Sequence, residues 1–209
     1  MADYAEREGI SERRVRALIR DGKLSARLVG RQWLIDQASV HRPASSRPLS
    51  AQMGIGLIAA LSGQSVPGMS APQRRRLRIY LSELRGATDP DRVLSAWIPQ
   101  RPPLQLSVAP SDLDDLGRDA RITRTGFSDP RARVAAAGQL EVRVAEADLN
   151  DLQREYLLRP SDRPNVFVHV DDRASSAPVP LGLLLVDLAH HPGVRERSRV
   201  ADLLKEMSP

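Results

Sequence analysis

The spacing of apolar residues changes along the chain, and each change predicts a different kind of element. From Ser11 the positions Val15, Leu18 and Ile19 lie i, i+3, i+4 apart, one face of a helix, while Arg13, Arg14, Arg16 and Arg20 take the other face. Ser11 is placed as the N-cap of this helix, Gly9 stops a short helix over 2–8 built on Tyr4 and Ala5, and Gly22 ends the arginine-bearing one. Two β-prone runs follow, Leu24–Val29 and Gln32–Ile35, on either side of Gly30-Arg31, which predicts a hairpin with Arg31 at its tip. Asp36 then caps a last short helix over 37–41. Two helices joined at a glycine, the second one basic outside, followed by a hairpin, make a helix-turn-helix with a wing over 1–41.

Residues 42–50 are rich in proline and serine and lack any apolar period, so they read as a linker. A helical connector follows over 51–100. Ser50 caps a helix over Ala51–Leu61, and Ser70 caps another that has Pro72 in its first turn and the stripe Leu77, Tyr80, Leu81 and Leu84. A third opens at Asp89-Pro90 and carries Val93, Leu94, Trp97 and Ile98. From Leu104 the period shortens to two. Strands are predicted at Leu104–Val108, Arg121–Thr125, Gln139–Val144 and Asn165–Val170. Between and after them come helices at Pro110–Leu116, at Glu146–Leu157 with Leu149, Leu152, Tyr156 and Leu157 inward, and at Leu181–Ala189 and Arg195–Met207. The expected fold class is therefore α+β: a winged front, a helical connector, and a small mixed sheet with packed helices over 101–209.

Composition narrows the function classes. Of 209 residues 41% are apolar and 27% charged, enough to bury a core. There is no cysteine, which excludes disulfides, thiol catalysis and thiolate zinc sites. The longest apolar run, Met53–Leu61, falls short of the ~20 residues a membrane helix needs, and acids stand where a signal peptide would be basic, so a cytoplasmic protein with no membrane partner is expected. Charge is asymmetric. Residues 1–85 hold 15 Lys and Arg against 7 Asp and Glu, whereas 86–209 hold 16 against 19. A basic front on a slightly acidic rear points to a polyanion at the front and a different task behind it.

Residues 1–41 resemble the excisionase-type, MerR-like winged helix-turn-helix, through Tyr4–Leu24 with its Gly9-Ile10-Ser11 and Leu18-Ile19 elements, and through Val29-Gly30-Arg31-Gln32-Trp33-Leu34-Ile35. The remainder resembles the antitoxin of bacterial AbiE-type (type IV) toxin–antitoxin systems, through Arg76–Arg85, Asp119–Asp129 with its Thr125-Gly126 turn, and Val179–Ala189. These likenesses imply a transcriptional autoregulator that binds double-stranded operator DNA and, through 101–209, a nucleotidyltransferase-like toxin, with a homodimer as a further expectation. Ser11, Arg13, Arg14 and Arg16 are candidate DNA-binding residues, with the three arginines reading bases and Ser11 capping the helix. Lys23, Arg27 and Arg31 are placed on phosphates or in the minor groove, and Arg74 and Arg75, at the start of a later helix, make a second phosphate contact.

No catalytic, cofactor or metal site is expected. His169-Val-Asp171 on a strand could bring an imidazole and a carboxylate together and His190-His191 could bind a metal, but adjacent helical histidines point about 100° apart, which rarely suits one metal. Two alternatives stay open: an excisionase-like recombination factor, against which the 160 or so extra residues argue, and a regulator whose rear domain answers a small ligand.

Overall fold

The computed structural model describes residues 4–5, 11–20, 26–29, 32–35, 47–66, 68–134, 136–171, 178–191 and 193–207. Two compact units are present, Met1–Ser45 with Pro192–Val194, and Ser46–His191 with Arg195–Pro209.

In the first unit, α1 (Glu12–Arg20) buries Val15 and exposes Arg13, Arg14 and Arg16, as its apolar period dictates. The strands β1 (Ala26–Val29) and β2 (Gln32–Ile35) pair antiparallel with Val29 opposite Gln32, a register that spans a two-residue connection. Tyr4 and Ala5 are helical and buried. The turn at Gly30-Arg31, Lys23 and the helix expected over 37–41 lie outside the described residues.

The second unit is α+β. Its helices are α2 (Ala51–Leu61), α3 (Ala71–Gly86), α4 (Pro90–Trp97), the single turn α5 (Leu113–Leu116), α6 (Glu146–Glu155), α7 (Leu181–His190) and α8 (Val194–Glu206). Its strands are β3 (Leu104–Ser107), β4 (Ile122–Arg124), β5 (Leu140–Ala145), β6 (Arg159–Pro160) and β7 (Val166–Asp171), in the order β4-β5-β7-β3-β6. The pair β5–β7 is parallel, with α6 in the connection, and all other pairs are antiparallel. The mixed sheet thus has five strands where the alternation pattern predicts four. The extra one, β6, is two residues long and contains a proline, so it carries no alternation to be read, and it sits at the edge where a missing N–H is tolerated.

The second unit has two apolar cores, one of them on this sheet. One face packs Val142, Val144, Val166 and Val168 against Leu116 and Leu152 of α5 and α6. The second core is helical and joins Met53, Leu57 and Leu61 of α2, Leu77 and Leu84 of α3, and Leu94 and Trp97 of α4 to Leu184, Leu185 and Leu188 of α7 and Leu203 and Leu204 of α8. The helical connector is therefore not a spacer between domains: it supplies half of a core that residues 181–207 complete, and no break in packing falls at residue 100.

Two side-chain placements differ from the pattern. Leu157, expected inward, is 67% exposed. The helix α6 ends at Glu155, and Leu157 takes a left-handed conformation (φ 52°) that turns the chain so that Leu158 goes into the core instead. In α7 the apolar residues exceed one stripe because both sides are covered: Leu184 through Ala189 are all buried. The close approach to α2 needs a glycine, since a Cβ at Gly182 would lie 2.2 Å from the Ile58 carbonyl oxygen.

Candidate nucleic-acid interface and polar cleft

The start of α1 is built by Ser11, whose Oγ accepts the Arg14 backbone N–H at 3.3 Å, an N-cap that fixes where the helix begins. Glu12 in the first turn accepts from Arg16 Nη2 at 3.1 Å, so Arg16 shares its charge with a neighbour. The exposed guanidiniums of Arg13 and Arg14 make no ion pair among the described residues. Arg27 lies in β1 opposite Leu34. Lys23 and Arg31 are outside the described residues.

In the second unit, Ser70 and Gln73 form a reciprocal capping box at the start of α3, which offsets the cost of opening a helix with four bases. Arg74 and Arg75 do not play equal parts. Arg74 donates through Nη1 to the Met69 carbonyl, so its guanidinium helps hold the preceding loop. Arg75 is exposed and makes no ion pair among the described residues.

The other face of the sheet carries a polar cluster. Register places Glu141, Arg143, Phe167, His169 and Asp171 on the side opposite the valines. Arg143 is 5% exposed and donates through Nε and Nη2 to both oxygens of Asp187 on α7, and through Nη1 to Asp171 at 2.6 Å. Burial works against its charge, but the two carboxylates more than offset this and raise its pKa above the ordinary guanidinium value. Asp187 also accepts from Gln100 at 3.0 Å and from the Thr125 hydroxyl. Beside this group, Glu141 accepts from His169 Nε2 at 2.8 Å and from the Phe127 backbone N–H at 3.1 Å. The turn over Glu141 requires a glycine: Gly126 has φ +51°, and a Cβ there would meet Glu141 Oε2 at 1.8 Å.

His169 and Asp171, two apart on one strand, do not pair with each other; the imidazole goes to Glu141 and the carboxylate to Arg143. His190 donates from Nδ1 to the Val186 carbonyl and accepts the Gln100 N–H at Nε2. His191 reaches Glu196 at 3.4 Å and meets the Phe127 ring edge-on. The two adjacent histidines thus serve separate partners. Among the described residues, no three His, Cys, Asp or Glu gather as a metal site, and no helix is long and apolar enough to cross a membrane.

Along the cluster runs a cleft of about 500 Å³, and the sequence explains its presence. Strand β3 pairs with β7 only as far as Leu104 opposite Val168, whereas β5 follows β7 to Asp171. Pro102 and Pro103 cannot extend the ladder, so β7 outruns its neighbour by three residues. Sequence reasoning missed the cleft, although the double proline before Leu104 was its available sign.

Compared with protein-family models, with curated proteins and with solved structures, the chain matches none.

Proposed function

We infer that the chain is a DNA-binding transcriptional autoregulator that acts as the antitoxin of a type IV, AbiE-like pair. The observation that carries the DNA-binding half is α1, capped by Ser11, with Val15 buried and Arg13 and Arg14 exposed near its N-terminus. A helix of these dimensions fits the major groove with its first turns at base edges, where arginine pairs bidentately with guanine. Arg13, Arg14 and Arg16 read bases, Ser11 sets the helix start, and Lys23, Arg27 and Arg31 hold phosphates or the minor groove. Arg75 adds a phosphate contact, while Arg74, engaged by Met69, contributes less.

The antitoxin half is supported by the likeness of 76–85, 119–129 and 179–189 to that family. The rear unit then binds a nucleotidyltransferase-like toxin and performs no catalysis itself, and the regulator works as a homodimer on its operator. Because α7 is covered on both sides, the toxin-facing surface lies on other elements of that unit.

Titration of the full chain against duplex DNA from upstream of its own gene, and against random duplex, tests the first half. Arg13→Ala and Arg14→Ala should each weaken the cognate site by about 1–3 kcal/mol, roughly 5- to 150-fold, and leave random DNA far less affected. Equal loss on both DNAs would mean that neither arginine reads a base. For the second half, co-expression with the adjacent gene product should relieve its toxicity, and failure to do so removes the antitoxin role while leaving DNA binding in place. A second reading, a regulator that answers a small ligand, is favoured by one observation, the polar cleft beside β7.

A further inference from the structure

We propose that the cleft along the unpaired end of β7 binds a small organic cation, an amine, amidine or guanidine carried on an apolar body. This does not depend on whether the chain binds DNA or a toxin.

Hydrogen-bonding capacity is the first reason. His169 is 7% exposed and lines the cleft, and its Nε2 is taken by Glu141. With Nε2 engaged, Nδ1 is the ring nitrogen left open. Among the described residues no buried side-chain nitrogen or oxygen lacks a partner and no protein group bonds Nδ1, so this atom is open to solvent on a residue that lines the cleft. Two residues on, Asp171 gives one oxygen to Arg143 and keeps Oδ1 without a protein donor among the described residues. Glu146, the first residue of α6, also lines the cleft and forms no ion pair among the described residues. The cleft therefore offers two carboxylate acceptors and calls for a ligand rich in N–H.

Charge selects the same class. Arg143 is the buried guanidinium among the described residues lining the cleft, and Asp187 and Asp171 together already exceed its charge. With Glu146, three carboxylates stand against two guanidiniums among the described residues, Arg143 and the exposed Arg101. An anion would enter against that surplus, and a cation would relieve it. Leu104 and Leu183 line the same space, which suits an apolar body. The absence of three metal-ligating side chains among the described residues favours an organic cation over a metal ion.

The test uses the full chain without DNA. Thermal melts and calorimetric titration are run with agmatine, spermidine and benzamidine, with tetramethylammonium as a cation lacking N–H, and with glutarate as an anion. At least one of the first three should raise Tm by about 3–10 °C at 10 to 100 times its Kd. Tetramethylammonium should bind at least tenfold more weakly. Asp171→Asn should cut the affinity tenfold or more. Glu146→Gln, at an exposed position with no hydrogen bond or ion pair among the described residues, should cut it several-fold and leave the melt of the free protein nearly unchanged. Arg101→Gln should leave affinity unchanged or raise it. Silence from all three N–H donors overturns the proposal. So does binding of glutarate that Arg101→Gln abolishes, and so does an affinity unchanged from that of the unsubstituted chain in both carboxylate variants.

Discussion

The two faces of the five-stranded sheet use the same strands in opposite ways. On one face Val142, Val144, Val166 and Val168 meet leucines of α5 and α6, and any contact there could be exchanged for another of similar volume. On the other, Glu141, Arg143 and His169 are just as buried, but their polar groups are held by named partners: Arg143 by Asp187 on α7, and Glu141 by the turn at Phe127 and by His169. Burial alone does not distinguish the faces. The difference is that an apolar face tolerates imprecision, whereas a buried charge without its partner is costly, so the polar face fixes where α7 and the Gly126 turn must sit.

Breaking that pairing should give the largest effect. Asp187→Ala leaves Arg143 buried against Asp171 alone and should lower unfolding free energy by about 3–5 kcal/mol in urea titration. Combining Arg143→Met with Asp187→Leu should recover most of the loss, and a double variant no better than the single one would show that the charges are not the determinant. On the apolar face, Leu152→Ala should cost about 2–5 kcal/mol through cavity formation, with no second polar substitution able to restore it. The smallest effect belongs to the sheet's rim. There Arg121 and the Tyr156 hydroxyl hold the Asp119 carboxyl well below its ordinary value of 3.8. Its folded pKa is depressed, so its contribution is complete above about pH 4 and is lost as pH falls through the folded value. Asp119→Asn should remove under about 1 kcal/mol at pH 7 and flatten the acid limb of the stability curve.

Most element positions were legible because local rules decided them. Ser50 caps Ala51–Leu61, and Ser70 with Gln73 caps α3. Pro90 opens α4, and alternation located four of the five strands within one or two residues at each end. The buried cluster was not legible. In Leu140-Glu-Val-Arg-Val144 the alternation has the form of a strand with one wet face, yet all five residues are buried. What covers Glu141 and Arg143 comes from 28 and 44 positions away, and nothing in a single sequence couples those sites. For the same reason the three helices of 51–98 read as a connector: their stripes show that they bury something, not that it is α7 and α8.

That long-range helical core has a consequence for how the chain is made. Ser62 accepts the Gly182 N–H at 2.9 Å from 120 residues away, at the contact between α2 and α7. At a synthesis rate of about 5–20 residues per second, α2 waits roughly 6–24 s for the segment that covers it. Through that interval Met53, Leu57 and Leu61 have no permanent neighbour on that side, whereas β5, α6 and β7 emerge together and can close the valine layer at once. The sheet is thus poised to fold during translation and the helical layer only after it. A ribosome stalled before residue 181 would present α2 to chaperones and proteases, so the nascent protein is most vulnerable at the helix it makes first in this unit.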